Sequence, residues 1–180
     1  MAIYCTTGIG SYENADCLDP NPQDGGIKYL IVADADIEDT ITDPTSATQW
    51  QTAIDLGKVE IVGPLLAEVP EAAPNTQRTT SCAPAKTVQK ARTMSFEDYN
   101  TSKENTEFYN DLIANSLGFK FGYVDCNDSF YGFLTDVSFD VTRIHEQEND
   151  TGVTKWVGNI AWNKLEEEVP TDFPTNIVFG

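Results

Sequence analysis

The 180-residue chain is short of positive charge, has a single histidine and contains no long apolar run. Lys and Arg number 11 against 29 Asp and Glu, which leaves a formal charge of −18. Proteins that grip nucleic acid through its phosphates need a basic face that releases counterions, so this composition argues against a DNA- or RNA-binding protein. Apolar runs such as Tyr29-Leu30-Ile31-Val32-Ala33 fall far short of the ~18–20 residues that cross a bilayer as a helix. No transmembrane segment is expected. The N-terminus, Met1-Ala2-Ile3-Tyr4-Cys5-Thr6, lacks a basic segment followed by an apolar one, so a secretory signal is not expected either.

Cysteine is also sparse. Cys5, Cys17, Cys82 and Cys126 include no C-x-x-C pair, which excludes the usual zinc and dithiol spacings. They read as small buried thiols, with a Cys5–Cys17 bridge geometrically conceivable. No Ser or Cys stands in a nucleophile elbow, and the glycine pieces Gly8-Ile9-Gly10 and Gly25-Gly26 match neither a P-loop nor a dinucleotide fingerprint. Asp34-x-Asp36-x-Glu38 opens like a calcium loop, but Asp39 stands where the loop needs Gly and Thr45 where it needs Glu. His145, beside Glu146, reads as an ordinary surface or interface histidine. No catalytic residue, metal or cofactor is expected. With 29 acids, paired carboxylates suited to glycoside hydrolysis remain an alternative that only spatial separation decides.

What is present suffices for a core. Hydrophobic residues make up 40% and aromatics 11%, too many for a disordered acidic tail, and the length suits one domain. Residues 1–25, rich in Asn, Asp, Gly and Pro, read as an irregular N-terminal arm. Ile27 to Ala33 reads as a strand buried on both faces, central in a sheet. Thr45 is placed to cap a short helix with Ala47, Trp50 and Ile54 on one stripe and Gly57 at its end. Lys58 to Val69 resumes strand character, with an edge or bulge at Gly63-Pro64. Ser102 is placed to cap a helix running through Leu117, with Phe108 and Leu112 inward and Gly118 as C-cap. The last third reads as a β-meander: Phe119–Val124, a turn at Cys126–Ser129, one long strand over Phe130–Ile144, an acidic turn over 146–152, a strand with Trp156, Ile160 and Trp162 inward, and a short strand over Asn176–Phe179. The fold expected is mainly β: a β-sandwich or partly closed barrel with one flanking α-helix, a second short helix and a long extended arm.

That arm is residues 68–92, proline-containing and weakly periodic, a length of irregular chain that is unusual in a compact domain unless it has a task. From Ala72 to Phe96 there is no acid, while Arg78, Lys86, Lys90 and Arg92 are all cationic. In so acidic a chain this stretch is the natural contact to a neighbouring acidic subunit, and those four residues are the candidate interface. Trp50, Trp156, Trp162 and the tyrosines could build a sugar platform, but their positions on apolar stripes favour core packing.

The order of parts resembles small virion proteins of tailed bacteriophages, the tail-tube family in particular. The residues that carry it are the strand with an Asp-rich exit (Ile27 to Asp39), the long arm, the strand Arg92-Thr93-Met94-Ser95-Phe96-Glu97-Asp98, one helix, and a meander with Phe121-Gly122-Tyr123-Val124-Asp125. The resemblance covers residues 25–163. It implies a non-enzymatic virion subunit, assembled in the host cytoplasm, whose partners are copies of itself and other virion proteins. It implies rings through which DNA passes without specific binding, since an acidic lumen repels phosphates. Asp136 and Asp140, alternating outward on the long strand, are the candidate lumen residues. A head-decoration, connector or adaptor role, or a monomeric carbohydrate- or partner-binding module, are the alternatives.

Overall fold

A computed structural model describes residues 26–78, 80–146 and 153–178. The N-terminal arm, with Cys5 and Cys17, and nearly all of the acidic turn over 146–152 lie outside the described residues. Strands β1 (Ile27–Asp34), β2 (Val59–Val62), β3 (Leu66–Glu68), β4 (Ala73–Gln77), β5 (Lys86–Asp98), β6 (Phe119–Asp125), β7 (Ser129–Leu134), β8 (Ser138–Glu146), β9 (Val153–Asn163) and β10 (Thr171–Asp172) join helices α1 (Ala47–Asp55) and α2 (Lys103–Asn115). All strand pairings are antiparallel, in the order β10-β7-β6-β1-β3-β5-β9-β8, with β2 on β1 and β4 on β5. Among the described residues the two ends of this path do not pair, so the sheet is not closed.

The open sheet folds over on itself, which makes it the expected sandwich. Phe121 of β6 stacks on Phe139 of β8 at 5.4 Å, and Tyr123 of β6 meets Trp162 of β9 at 6.2 Å. Those strands are not sheet neighbours, so the contacts run between layers. Leu30, Val32, Met94, Phe96, Ile160 and Trp156 complete this core. Helix α2 contributes Tyr109 and Leu112 to it, and Tyr109 lies 4.8 Å from Trp156. Ser102 does cap α2, its Oγ accepting from Asn105 N at 3.2 Å.

A second core covers the outer face of the β1-β6-β7 layer, where α1 seats Trp50 and Ala53 against Ile31, Ala33, Val124 and Phe130. Strand β1 is thus buried on both faces, because alternate residues serve different cores. Among the described residues, no helix lies on the outer face of the other layer, β3-β5-β9-β8.

Several local expectations change. Residue 46, not Thr45, precedes α1; Asp43 Oδ1 accepts from Thr45 N at 3.0 Å and builds the turn before it. The Gly63-Pro64 interruption separates β2 from β3. Gly63 is required there, with φ +147 and only 2.8 Å between an added Cβ and Lys28 O. The single strand expected over Phe130–Ile144 is two strands at opposite ends of the sheet. Residues 135–137 carry the chain from one layer to the other, turning at Asp136 with φ 55. Apolar alternation runs through both pieces, which hides the crossing. On β7 it is Phe130 and Leu134 that are buried, while Tyr131 and Phe133 are half-buried. Asn176 to Val178 form no strand; Phe173 and Ile177 instead close the second core. Cys82 and Cys126 are exposed free thiols, because both fall in turns that end hairpins rather than on inward strand positions.

Candidate assembly surface

The 68–92 arm is built as a hairpin, β4 on β5, with register from Ala73↔Ala91 to Gln77↔Lys86. Its shape follows from the sequence of β5. Arg92, Met94, Phe96 and Asp98 point inward and are buried, but toward the other end of β5 both faces turn polar, and Lys86, Val88 and Gln89 are exposed. With no apolar face to bury, the strand leaves the core. All five residues of β4 are exposed, and among the described residues β4 pairs with β5 alone, which leaves its outer edge open there.

The four candidate interface cations divide along this hairpin. Arg78 and Lys86 sit at its tip, exposed, with no carboxylate partner among the described residues. Lys90 and Arg92 sit at its base, where both bind Glu167 of the segment after β9: Lys90 Nζ donates at 3.1 Å and Arg92 Nη1 at 2.6 Å. Arg92 Nη2 also donates to Glu166 O at 3.3 Å. Lys164 and Lys90 exchange backbone hydrogen bonds, which holds that segment across the base. Lys90 and Arg92 are therefore engaged within their own chain, whereas the tip cations are not engaged by a carboxylate among the described residues. A cleft of about 740 Å³ lies at the base, walled by Ile27, Pro70, Lys90, Arg92, Tyr131 and Glu167.

Glu167 is the residue that spacing did not reveal, since it lies 75 positions from Arg92. The signal was compositional, a Glu166-Glu167-Glu168 run in a chain with one cationic stretch. The Arg92 and Lys90 hydrogen bonds hold the Glu167 carboxyl down to about 2. The stability it supplies is complete above the ordinary Glu range and fades as pH falls from about 4.5 toward 2. Its carboxylate is 68% exposed, so solvent screening keeps the pair to about 1 kcal/mol. Glu167→Gln should lower the unfolding free energy at pH 7 by about that amount and flatten the acid limb of a urea-midpoint profile between pH 4.5 and 2.

The two candidate lumen acids also part company. Asp136 is not on a strand; it occupies the interlayer turn. Asp140 lies on β8 on the uncovered face, in register with Asn159 of β9, which faces Ser95 of β5 and beyond it Glu68 of β3. The lysine on that face, Lys155, donates to Glu97 at 3.0 Å. Among the described residues the face thus mixes acids and small polar groups with apolar Leu66, Ile144 and Val157, and Lys155 is paired with Glu97.

Other acids have structural tasks. Asp98 Oδ2 accepts from Tyr109 Oη at 2.8 Å and Oδ1 from Asn100 N at 2.8 Å. Asp125 Oδ1 takes the backbone N–H groups of Asn127 and Ser129, each at 2.9 Å. At the Asp-rich exit of β1, Asp36 and Glu38 pair with Lys58 and Lys120 at 2.8 and 2.7 Å. His145 is exposed, with Nδ1 3.0 Å from Thr154 Oγ1. All three tryptophans lie in the cores, 0 to 4% exposed, so none forms a surface sugar platform. No group of three or more metal-ligating side chains occurs among the described residues. No protein family, curated protein or solved structure matches the chain.

Proposed function

We propose that this chain is a structural subunit of a tailed-bacteriophage virion, tail-tube-like, which self-assembles into rings whose acidic wall lets DNA pass without holding it. The observation that carries the reading is the β4–β5 hairpin: an exposed two-stranded arm whose outer edge is open among the described residues, bearing Arg78 and Lys86, which have no carboxylate partner among those residues, on a chain of −18. An exposed strand edge is an aggregation hazard unless covered, and assembly covers it. Like-charged copies repel, so cations must cross each contact, and the tip supplies them. The uncovered β3-β5-β9-β8 face, with Asp140 and Glu68 displayed and Lys155 neutralised by Glu97, suits a wall facing phosphates. The chain's role is mechanical, and no reaction is assigned to it.

The test is negative-stain microscopy with light scattering on the purified full-length chain. Rings or tubes are expected. Arg78→Glu with Lys86→Glu should raise the protein concentration needed for assembly by at least about tenfold, equivalent to ~1.4 kcal/mol per contact, with an unchanged circular dichroism spectrum. A protein that stays monomeric at every concentration and salt overturns the reading.

A further inference from the structure

Among the described residues the arm has an open edge and two cations without a carboxylate partner, and part of the chain has the complementary chemistry. Residues 1–25 contain Glu13, Asp16, Asp19 and Asp24 and no Lys or Arg. They precede Gly26, so they join the described fold next to Ile27, on the wall of the cleft at the hairpin base. Twenty-five residues reach up to about 80 Å when extended, ample to leave one copy and run along another. We infer that the acidic N-terminal segment, residues 1–25, of a neighbouring copy occupies the open edge of β4 and sets its carboxylates against Arg78 and Lys86. This rests on the self-assembly reading and names the contact that serves it.

Three observations support this occupant. The exposed β4 edge offers the backbone donors and acceptors that an added chain segment uses. The tip cations have no carboxylate partner among the described residues, whereas Lys90 and Arg92 are engaged by Glu167. A contact with the chain's own segment would neutralise the tip within one copy and leave it unable to attract a second, whereas a neighbour's segment places opposite charges across the contact.

The test is charge exchange between two full-length variants. The first carries Glu13→Lys, Asp16→Lys and Asp19→Lys; the second carries Arg78→Glu and Lys86→Glu. Each alone should need at least about tenfold more protein to assemble than the unmodified chain. Mixed in equal amounts they should coassemble, because each variant's segment then matches the other's arm. Assembly of the first variant at the unmodified concentration overturns the inference and leaves the self-assembly reading standing. A mixture that stays monomeric overturns it too, and if a chain carrying all five substitutions assembles meanwhile, the contact lies within one chain. An unmodified chain that never assembles removes both readings together.

Discussion

Trp50→Ala should lower the unfolding free energy by about 4 kcal/mol, the size expected when a large buried aromatic is truncated. Trp50 is the centre of the second core and is fully buried. Its ring meets Phe173 at 5.0 Å and Phe130 at 5.2 Å, both edge-on, and Phe133 at 6.0 Å. Its indole Nε1 donates to Pro44 O at 2.7 Å, so truncation also leaves that carbonyl without its donor. The three aromatic partners come from β7 and from the C-terminal segment, which cannot both move inward to fill the space. Against a total stability of order 5–15 kcal/mol, that is at least about a quarter of what holds the fold. Urea unfolding followed by far-UV circular dichroism measures the loss, and Trp50→Phe, which keeps a ring, should recover more than half of it. A cost below about 1 kcal/mol would mean that α1 contributes little to holding the β1-β6-β7 layer.

Gly158→Val should cost about 3 kcal/mol, at the upper end for overpacking a closed core. Gly158 points into the sandwich, between Trp156 and Ile160 on β9, directly opposite Phe96 of β5. The Phe96 ring lies across the glycine, so that a Cβ there would overlap the ring atoms. Phe96 cannot swing away, because it stacks against Tyr109 at 6.4 Å and Phe139 at 6.2 Å. The glycine is thus the place on β9 where a ring takes the volume of a side chain. Phe96→Leu frees part of that volume, so the double variant should lose less than the sum of the two single losses, by about 1 kcal/mol or more. Strict additivity in the same urea series would show that ring and glycine do not compete for the space.

Local pattern made much of this legible. β1 was readable as a doubly buried strand because its apolar run is unbroken, α2 was readable from its stripe and its Ser102 cap, and α1 from its stripe, its start falling one residue later than a Thr45 cap places it. The inward set on β9, Trp156, Ile160 and Trp162, followed from simple alternation. The crossing at 135–137 was not legible, because apolar alternation runs on through it and nothing in the pattern says which strand each piece pairs with. The division of the cations was hidden for a related reason: Arg92 and Lys90 find Glu167 only once β9 has brought the following segment back beside β5.

By itself, the sequence determined the mainly β class, the burial of the tryptophans and the presence of one cationic stretch in an acidic chain, since composition and period-2 patterning act within a few residues. Only the tertiary structure decided that the arm is a hairpin, that among the described residues Arg78 and Lys86 rather than Lys90 and Arg92 are left without a carboxylate partner, and that Asp140 but not Asp136 lies on the uncovered face. Those outcomes depend on which strands become neighbours, and strand neighbours are chosen by burial summed over both layers rather than by any one segment.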